Sequence, residues 1–263
     1  MTNLELLNEL QARRLRLHRL EPSRPLRNVR AAVAFVRERQ IVVAAGRSSL
    51  PMLAEALVGH EIHGSWMADP EVFRIHRLMR RLSQSPAVIV ATLIQGKETL
   101  IDASLGPSVA RIANDRSRRE AAYHNLPPLA RALLDDVQRS GEIRMDRWKA
   151  SAKLGRDARV RLERQLLVVS TSLHTESGYH TALVRPWAAS PAGVRFGKAS
   201  RRLDYAEAQR RLWLAAVRSA VVAPEREARQ WFPFAASGLE DLIDAGKCQR
   251  ISAAGRTWLT CRQ

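Results

Sequence analysis

From Pro127 onward the chain runs twice through one order of local signals, and that order limits the possible folds more than composition does. Pro127-Pro128 opens an amphipathic helix to Arg139, with Leu129, Leu133, Leu134 and Val137 on one face. Ser140-Gly141 ends it, and Glu142-Ile143-Arg144 reads as a short strand. Asp146 predicts the cap of a second helix to about Leu154, and Gly155 separates it from a third, 156–167. Leu166 to Leu173 then becomes a strand, turns near Thr175 to Gly178, and returns through Tyr179 to Trp187. After residues 188–202, whose Pro, Gly, Ser and basic content predicts a linker, the order recurs. Asp204 with Glu207 forms a capping box for a helix to Ala220, and Pro224 sits at the start of a second. Ser237 with Glu240 predicts another capping box, for a helix that Gly246 stops. Cys248 to Ser252 and Arg256 to Cys261 form a hairpin around Ala254-Gly255, which sets the two cysteines opposite each other as buried thiols or, on oxidation, as a cross-strand disulfide. Helix, strand, helix, turn, helix, hairpin is the winged-helix plan. The expected fold class is therefore mainly α (α+β), built of tandem winged-helix modules with short β-hairpin wings.

The first half follows a looser version of that plan. Residues 1–25 predict an N-terminal basic helix, with Leu6, Leu7, Leu10, Leu17 and Leu20 on one side and Arg13, Arg14, Arg16 and Arg19 in its second half. Residues 26–126 predict a helical or winged-helix-like domain. In it, Val29, Ala32, Val33 and Val36 mark a helix, Ile41 to Ala44 a buried strand, and Val72, Ile75, Leu78, Met79 and Leu82 a further helix after Pro70. Val88 to Ile94 fits helix or strand. Asn114 to Asn125 is polar and basic and marks a boundary. The remaining units are a winged helix over 127–187, the linker 188–202 and a C-terminal winged helix over 203–263.

Charge points to the partner. The chain has 43 Lys and Arg against 26 Asp and Glu, and only five of the 43 are Lys. A polyanion accounts for such an excess, because each phosphate neutralised releases a condensed counterion. Arginine also grips phosphate bidentately, which lysine cannot do. Double-stranded DNA is the expected partner. Two cysteines rule out a disulfide framework and a cysteine zinc site. No apolar run is long enough to span a bilayer and no signal-peptide core opens the chain, so a cytoplasmic protein without membrane contact is expected. No cofactor is implied. The motif His60-Glu61-Ile62-His63 spaces its histidines at i and i+3, not at the i and i+4 of a zinc-protease helix, so no metal site is expected.

The predicted helix 156–167 is the candidate recognition helix. Ala158, Leu162 and Leu166 share an inward face, which points Arg161 and Arg164 outward with Arg156 and Arg159 flanking them. Lys149 and Lys153 precede it on the same basic stretch. The hairpin tip, with His174, Thr175, Ser177, Tyr179 and His180, offers donors to a phosphate backbone or serves as an ordinary polar turn. Arg116, Arg118 and Arg119 extend the basic surface or sit on a solvated connection.

The helix-strand-loop at 26–50, the run Ala91-Thr92-Leu93-Ile94-Gln95-Gly96-Lys97-Glu98-Thr99-Leu100-Ile101 and the two winged helices after it resemble the AlkZ/YcaQ-like proteins. The best-known of these are DNA glycosylases that unhook interstrand cross-links. The resemblance covers about residues 26–262. It implies a row of winged helices around a basic DNA channel, and a relative of DNA-repair glycosylases acting on damaged DNA. The family's Gln-x-Gln or Gln-x-Asp, which positions water and stabilises the sugar cation, is not intact here. Gln40 matches its first position, but Val42 occupies the second and offers no dipole or proton acceptor. Glu38, Gln40, Glu61 and Asp102 are the polar groups within reach of that chemistry, and spacing singles out none of them. The alternative is a non-catalytic regulator or architectural DNA-binding protein.

Overall fold

A computed structural model describes residues 1–174 and 180–261. Three small sheets organise the chain, and in each the first strand pairs with the third and the third with the second, all antiparallel. After helix α1 (Asn3–Leu17), the first module runs α2 (Val29–Arg39), β1 (Ile41–Val43), α3 (Leu53–Val58), α4 (Val72–Ser83), β2 (Val88–Thr92) and β3 (Glu98–Asp102). Helices α5 (Gly106–Ala113) and α6 (Arg116–His124) lead to the second, made of α7 (Pro128–Ser140), β4 (Ile143–Arg144), α8 (Ala152–Arg164), β5 (Val168–His174) and β6 (His180–Pro186). Helix α9 (Pro191–Ser200) leads to the third: α10 (Tyr205–Ala220), β7 (Val222–Pro224), α11 (Glu225–Ala228), α12 (Ser237–Asp244), β8 (Cys248–Ala253) and β9 (Arg256–Cys261). The first and third modules carry the full winged-helix order, and in the second the middle helix is reduced to the single 3-10 turn Met145–Arg147, so that α8 takes the third-helix place. Residues 26–102 thus repeat the order as well, and the run from Val88 is a strand.

Local chemistry departs from expectation in four places. Residues 188–202 are not an extended linker. Ser190 Oγ accepts from the Gly193 N–H at 2.9 Å and Pro191 fills the first turn, so the Pro and Ser that suggest a linker are the start signals of α9. The polar stretch after Asn114 is likewise helical, because the Asp115 carboxylate caps α6 through the Arg118 N–H at 2.9 Å. In the second module Asp146 caps no helix; it lies in a single 3-10 turn, where its carboxylate binds Arg144 and Thr181. The helix instead starts after Ser151 and runs through Gly155, which is buried because the Met145 and Trp148 side chains lie where a larger residue would go. Ser237 forms no capping box either, since Ala236 precedes α12 and Glu240 turns outward to arginines.

Modules that follow one another in sequence do not simply follow one another in space. The second module closes its own core around Leu133, Leu134, Leu162 and Val184, whereas the first and third share a single apolar cluster. Phe35, Ile41, Leu53, Ile75 and Val109 of the first half meet Leu212, Trp213, Trp231 and Leu239 in it. The seam is also hydrogen bonded. Ser219 Oγ donates to the Ile41 carbonyl at 2.6 Å, and the Gln95 N–H donates to the Trp231 carbonyl at 2.9 Å. The Glu227 carboxylate accepts from the Ser49 N–H at 2.7 Å, from Ser49 Oγ at 2.7 Å and from Trp231 Nε1 at 3.3 Å. Helix α1 packs Leu7 and Leu10 on Val221, Val222 and Ile251, which makes it part of the third module's surface. Cys248 and Cys261 stand opposite each other across β8 and β9 with their sulfurs 2.8 Å apart.

His18, just after α1, is 3% exposed and bonds the Ser219 carbonyl through Nε2 at 3.1 Å. Burial, reinforced by Arg14, lowers its pKa from 6.5 to about 3, so the folded protein keeps the ring neutral. An unfolded chain takes up that proton below about pH 6.5, and stability falls as pH drops from there towards 3 by up to about 1.4 kcal/mol per unit. Replacing His18 with Gln keeps a donor for Ser219 and removes this slope. In urea titrations at pH 7.5 and 4.5, wild type is expected to lose more of its midpoint on acidification than His18→Gln.

Candidate nucleic-acid interface

The third helix of a winged helix faces outward next to its hairpin, so the side chains on that helix decide what a module can touch. In the second module that helix is α8. Its inward face is Gly155, Ala158, Leu162 and Glu163, all buried. Lys153, Arg156, Arg161 and Arg164 are exposed, and among the described residues none of the four has an ion-pair or hydrogen-bond partner. Arg159 does not join them. Its guanidinium lies 2.8 Å from the Glu163 carboxylate and 2.7 Å from Ser170 Oγ, because the buried Glu163 requires a cation.

Arg161 and Arg164 border a cleft of about 420 Å³ where all three modules converge. Leu93, Gln95 and Gly96 line it from the first module and Gln230 to Pro233 from the third. None of its lining residues is an aspartate or glutamate. Gly96 has φ +74°, and any Cβ there would come within 2.5 Å of the Arg164 Nε, so the glycine lets the arginine lie flat across the turn. Gln95 holds a left-handed conformation at φ 50°, and its Oε1 accepts from Lys97 Nζ at 2.8 Å. That leaves the Gln95 amide protons as donors. A cleft lined by guanidinium and amide donors without carboxylates suits phosphate oxygens.

The other expected positions divide. Arg118 lines the same cleft but spends its guanidinium on the fold: it donates to the Ile112 carbonyl at 2.7 Å, the Gln165 carbonyl at 2.6 Å and the Ala113 carbonyl at 3.3 Å. Burial lowers its pKa to about 10. Its guanidinium ties α5 to the end of α8, a structural task that charge counting could not separate from binding. Arg116 pairs with Glu120 at 2.7 Å and Lys149 with Asp136 at 3.5 Å, both at the surface. Arg119 is half-buried and has no partner among the described residues. The His174 backbone pairs with that of His180 at the end of the β5–β6 hairpin, and Thr175, Ser177 and Tyr179 lie outside the described residues.

Sequence reading found the helix after Pro70, α4, which is the third of the first module, but missed its outward face. Ile75, Leu78 and Leu82 bury one side, while Phe73, His76, Arg77, Arg80 and Arg81 are exposed on the rest. Among the described residues Arg77, Arg80 and Arg81 have no acidic partner. The signal was present, since the inward residues of 72–82 imply the outward ones, but only the third-helix position gives those arginines meaning. Glu98 at the start of β3 joins the two basic helices electrostatically, being close to His76 of α4 and Glu163 of α8. Burial first, then Glu163, raises its carboxyl above the usual range, although the side chain keeps contact with solvent. In the third module the equivalent helix is acidic: Glu240 pairs with Arg229 and Arg250, and Asp241 with Arg210.

The residues considered for glycosidic chemistry stand apart from the cleft. Val42 is fully buried in β1, and Gln40 ends α2 with φ 65°. Glu38 pairs with Arg19 and Arg39, and Asp102 caps the turn after β3 through the Ser104 N–H at 3.0 Å. Glu61 is exposed in the loop before α4. His60 lies 3.4 Å from Asp69, and no group of three metal-ligating side chains gathers among the described residues. No helix among them is long and apolar enough to cross a membrane.

No protein-family model matches the chain, and no curated protein matches it by sequence. Among solved structures it is similar in fold to the Streptomyces sahachiroi DNA glycosylase AlkZ, with 15% sequence identity and a TM-score of 0.48, over 99% of this chain and 70% of that one.

Proposed function

We propose that this protein binds double-stranded DNA, with α8 and α4 against the duplex and the three-module cleft holding backbone phosphates. The observation that carries this is the sorting of charge by partner. Arg118, Arg74 and Arg159 are satisfied by carbonyls or a carboxylate, whereas Arg77, Arg80 and Arg81 of α4 and Arg156, Arg161 and Arg164 of α8 are exposed and, among the described residues, have no acidic partner. Cations left unpaired on the two surfaces that a winged helix turns outward suit a polyanion. Each phosphate gripped releases counterions, so binding is expected to weaken steeply with salt.

One observation favours glycosidic chemistry as a second function. Glu98, at the start of β3, interacts electrostatically with His76 of α4 and Glu163 of α8, and its carboxyl is raised by burial and then by Glu163, so it is the candidate general acid for a leaving base. The protein would then act as a relative of DNA-repair glycosylases on damaged DNA; without that chemistry it is a regulator or an architectural binder. Undamaged, alkylated and cross-linked duplexes, incubated with the protein and then heated in alkali, separate these outcomes. Strand breaks confined to a damaged duplex and lost in Glu98→Gln establish the enzyme, and retarded bands without breaks leave the binder.

The charge sorting also predicts how two kinds of arginine variant differ. Arg161→Ala with Arg164→Ala is expected to leave stability within about 0.5 kcal/mol of wild type, as exposed substitutions do. The same pair should lower the slope of log Kd against log salt by about two. Arg118→Ala strips three carbonyls of their donor and is expected to cost roughly 2–4 kcal/mol in denaturant titration. An unchanged salt slope in the intact double variant rules out α8 as a phosphate-binding helix.

A further inference from the structure

We infer that Phe73 reads thymine in the major groove, its ring packing on the 5-methyl group while Arg77, Arg80 and Arg81 hold the backbone beside it. This rests on the DNA-binding function proposed above and adds a base preference to it. Phe73 is 81% exposed in the first turn of α4, and Met67, 62% exposed, precedes it in the turn before the helix. Most of the phenyl surface is therefore open to a partner, and covering it would be favourable.

The surroundings of the ring specify what covers it. Phe73, Arg77 and Arg80 stand at i, i+4 and i+7 and share one helix face. Seven residues advance a helix by about 10 Å, close to the roughly 12 Å width of the major groove. With the arginines on one wall of that groove, the first turn reaches its floor, where the N-terminal residues of such helices meet base edges. A partner for this face must carry negative charge around an apolar spot. In the major groove the apolar group that a base presents is the thymine methyl. Aromatic wedges that pry base steps apart work from the minor groove, which is too narrow for a helix. The ring also stands on a firm base. Arg74, next to it, bonds the Leu26 carbonyl at 2.8 Å and the Leu57 carbonyl at 3.0 Å, which fixes the first turn to the core.

The test deletes the methyl group from the DNA. Binding of wild type, Phe73→Ala and Phe73→Leu is measured by fluorescence anisotropy on an alternating A·T duplex and on the same duplex with every thymine replaced by uracil. Wild type is expected to bind the uracil duplex about three- to fivefold more weakly. Phe73→Ala should bind both duplexes equally, near the wild-type affinity for uracil, and Phe73→Leu should keep part of the difference. All three should share one salt slope, because no cation has changed. Wild-type indifference to the methyl, or a full thymine preference in Phe73→Ala, overturns the inference while leaving DNA binding intact. Failure of wild type to bind either duplex removes the DNA-binding function and this inference with it.

Discussion

The first and third modules cannot be separated without exposing the indole of Trp231 and stranding the carboxylate of Glu227. That carboxylate accepts from Ser49 twice and from the Trp231 ring, so a loop of the first module, a helix of the third and the largest buried side chains meet at one anion. The rest of the site depends on this seam. The Gln95 N–H bonds the Trp231 carbonyl, which holds the turn carrying Gln95 and Gly96 against the third module. Arg164 lies over Gly96, so the cleft's shape follows from an interaction that contains none of its arginines.

Within this frame, arginine does two physically different jobs. A guanidinium has five donors in a rigid fork, enough to satisfy several carbonyls at once. Arg118 uses that capacity on three carbonyls between α5 and α8, and Arg74 on two between the first module's loops. Others are spent on carboxylates, most densely around Glu225 and Glu240 of the third module. Only after these are subtracted does the remaining charge form a pattern. Among the described residues it includes the cations of α4, of α8 and of the cleft, alongside exposed ones elsewhere such as Arg30 and Arg37 of α2 and Arg226 of α11, and none on α12. The third module thus contributes to the cleft through its apolar segment Trp231 to Pro233, and its outward helix offers acid where the other two offer base.

Periodicity and capping chemistry made much of this fold legible. The two winged helices after Pro127 follow from apolar spacing, glycine stops and the hairpin at Ala254-Gly255, all of them local signals. What escaped was tertiary. Gly155 looks like a break because glycine usually is one; it lies within α8 because Trp148 and Met145 need the room. Pro191 and Ser190 look like linker residues because the same residues start helices and populate loops. In the candidate site, Arg161 and Arg164 are visible from helical spacing, whereas Arg159 turns to Glu163, four residues on in the same helix, whose burial against Ser170 of β5 cannot be read from helical spacing. Phe73 and the α4 arginines stayed hidden because their meaning comes from module topology, which residues 26–102 disclose only once β1, β2 and β3 are seen to pair.

The shared core has a consequence for how the chain comes off the ribosome. Phe35, Ile41 and Ile75 emerge early, but the residues that cover them, Leu212 to Leu239, emerge more than a hundred residues later. At roughly 5–20 residues per second, the first module waits on the order of ten seconds with an apolar flank uncovered. The second module, with its own core, can close during that interval. Synthesis therefore delivers a finished middle before either neighbour, and the nascent chain must be kept from associating through an unfinished first module until its C-terminal third arrives.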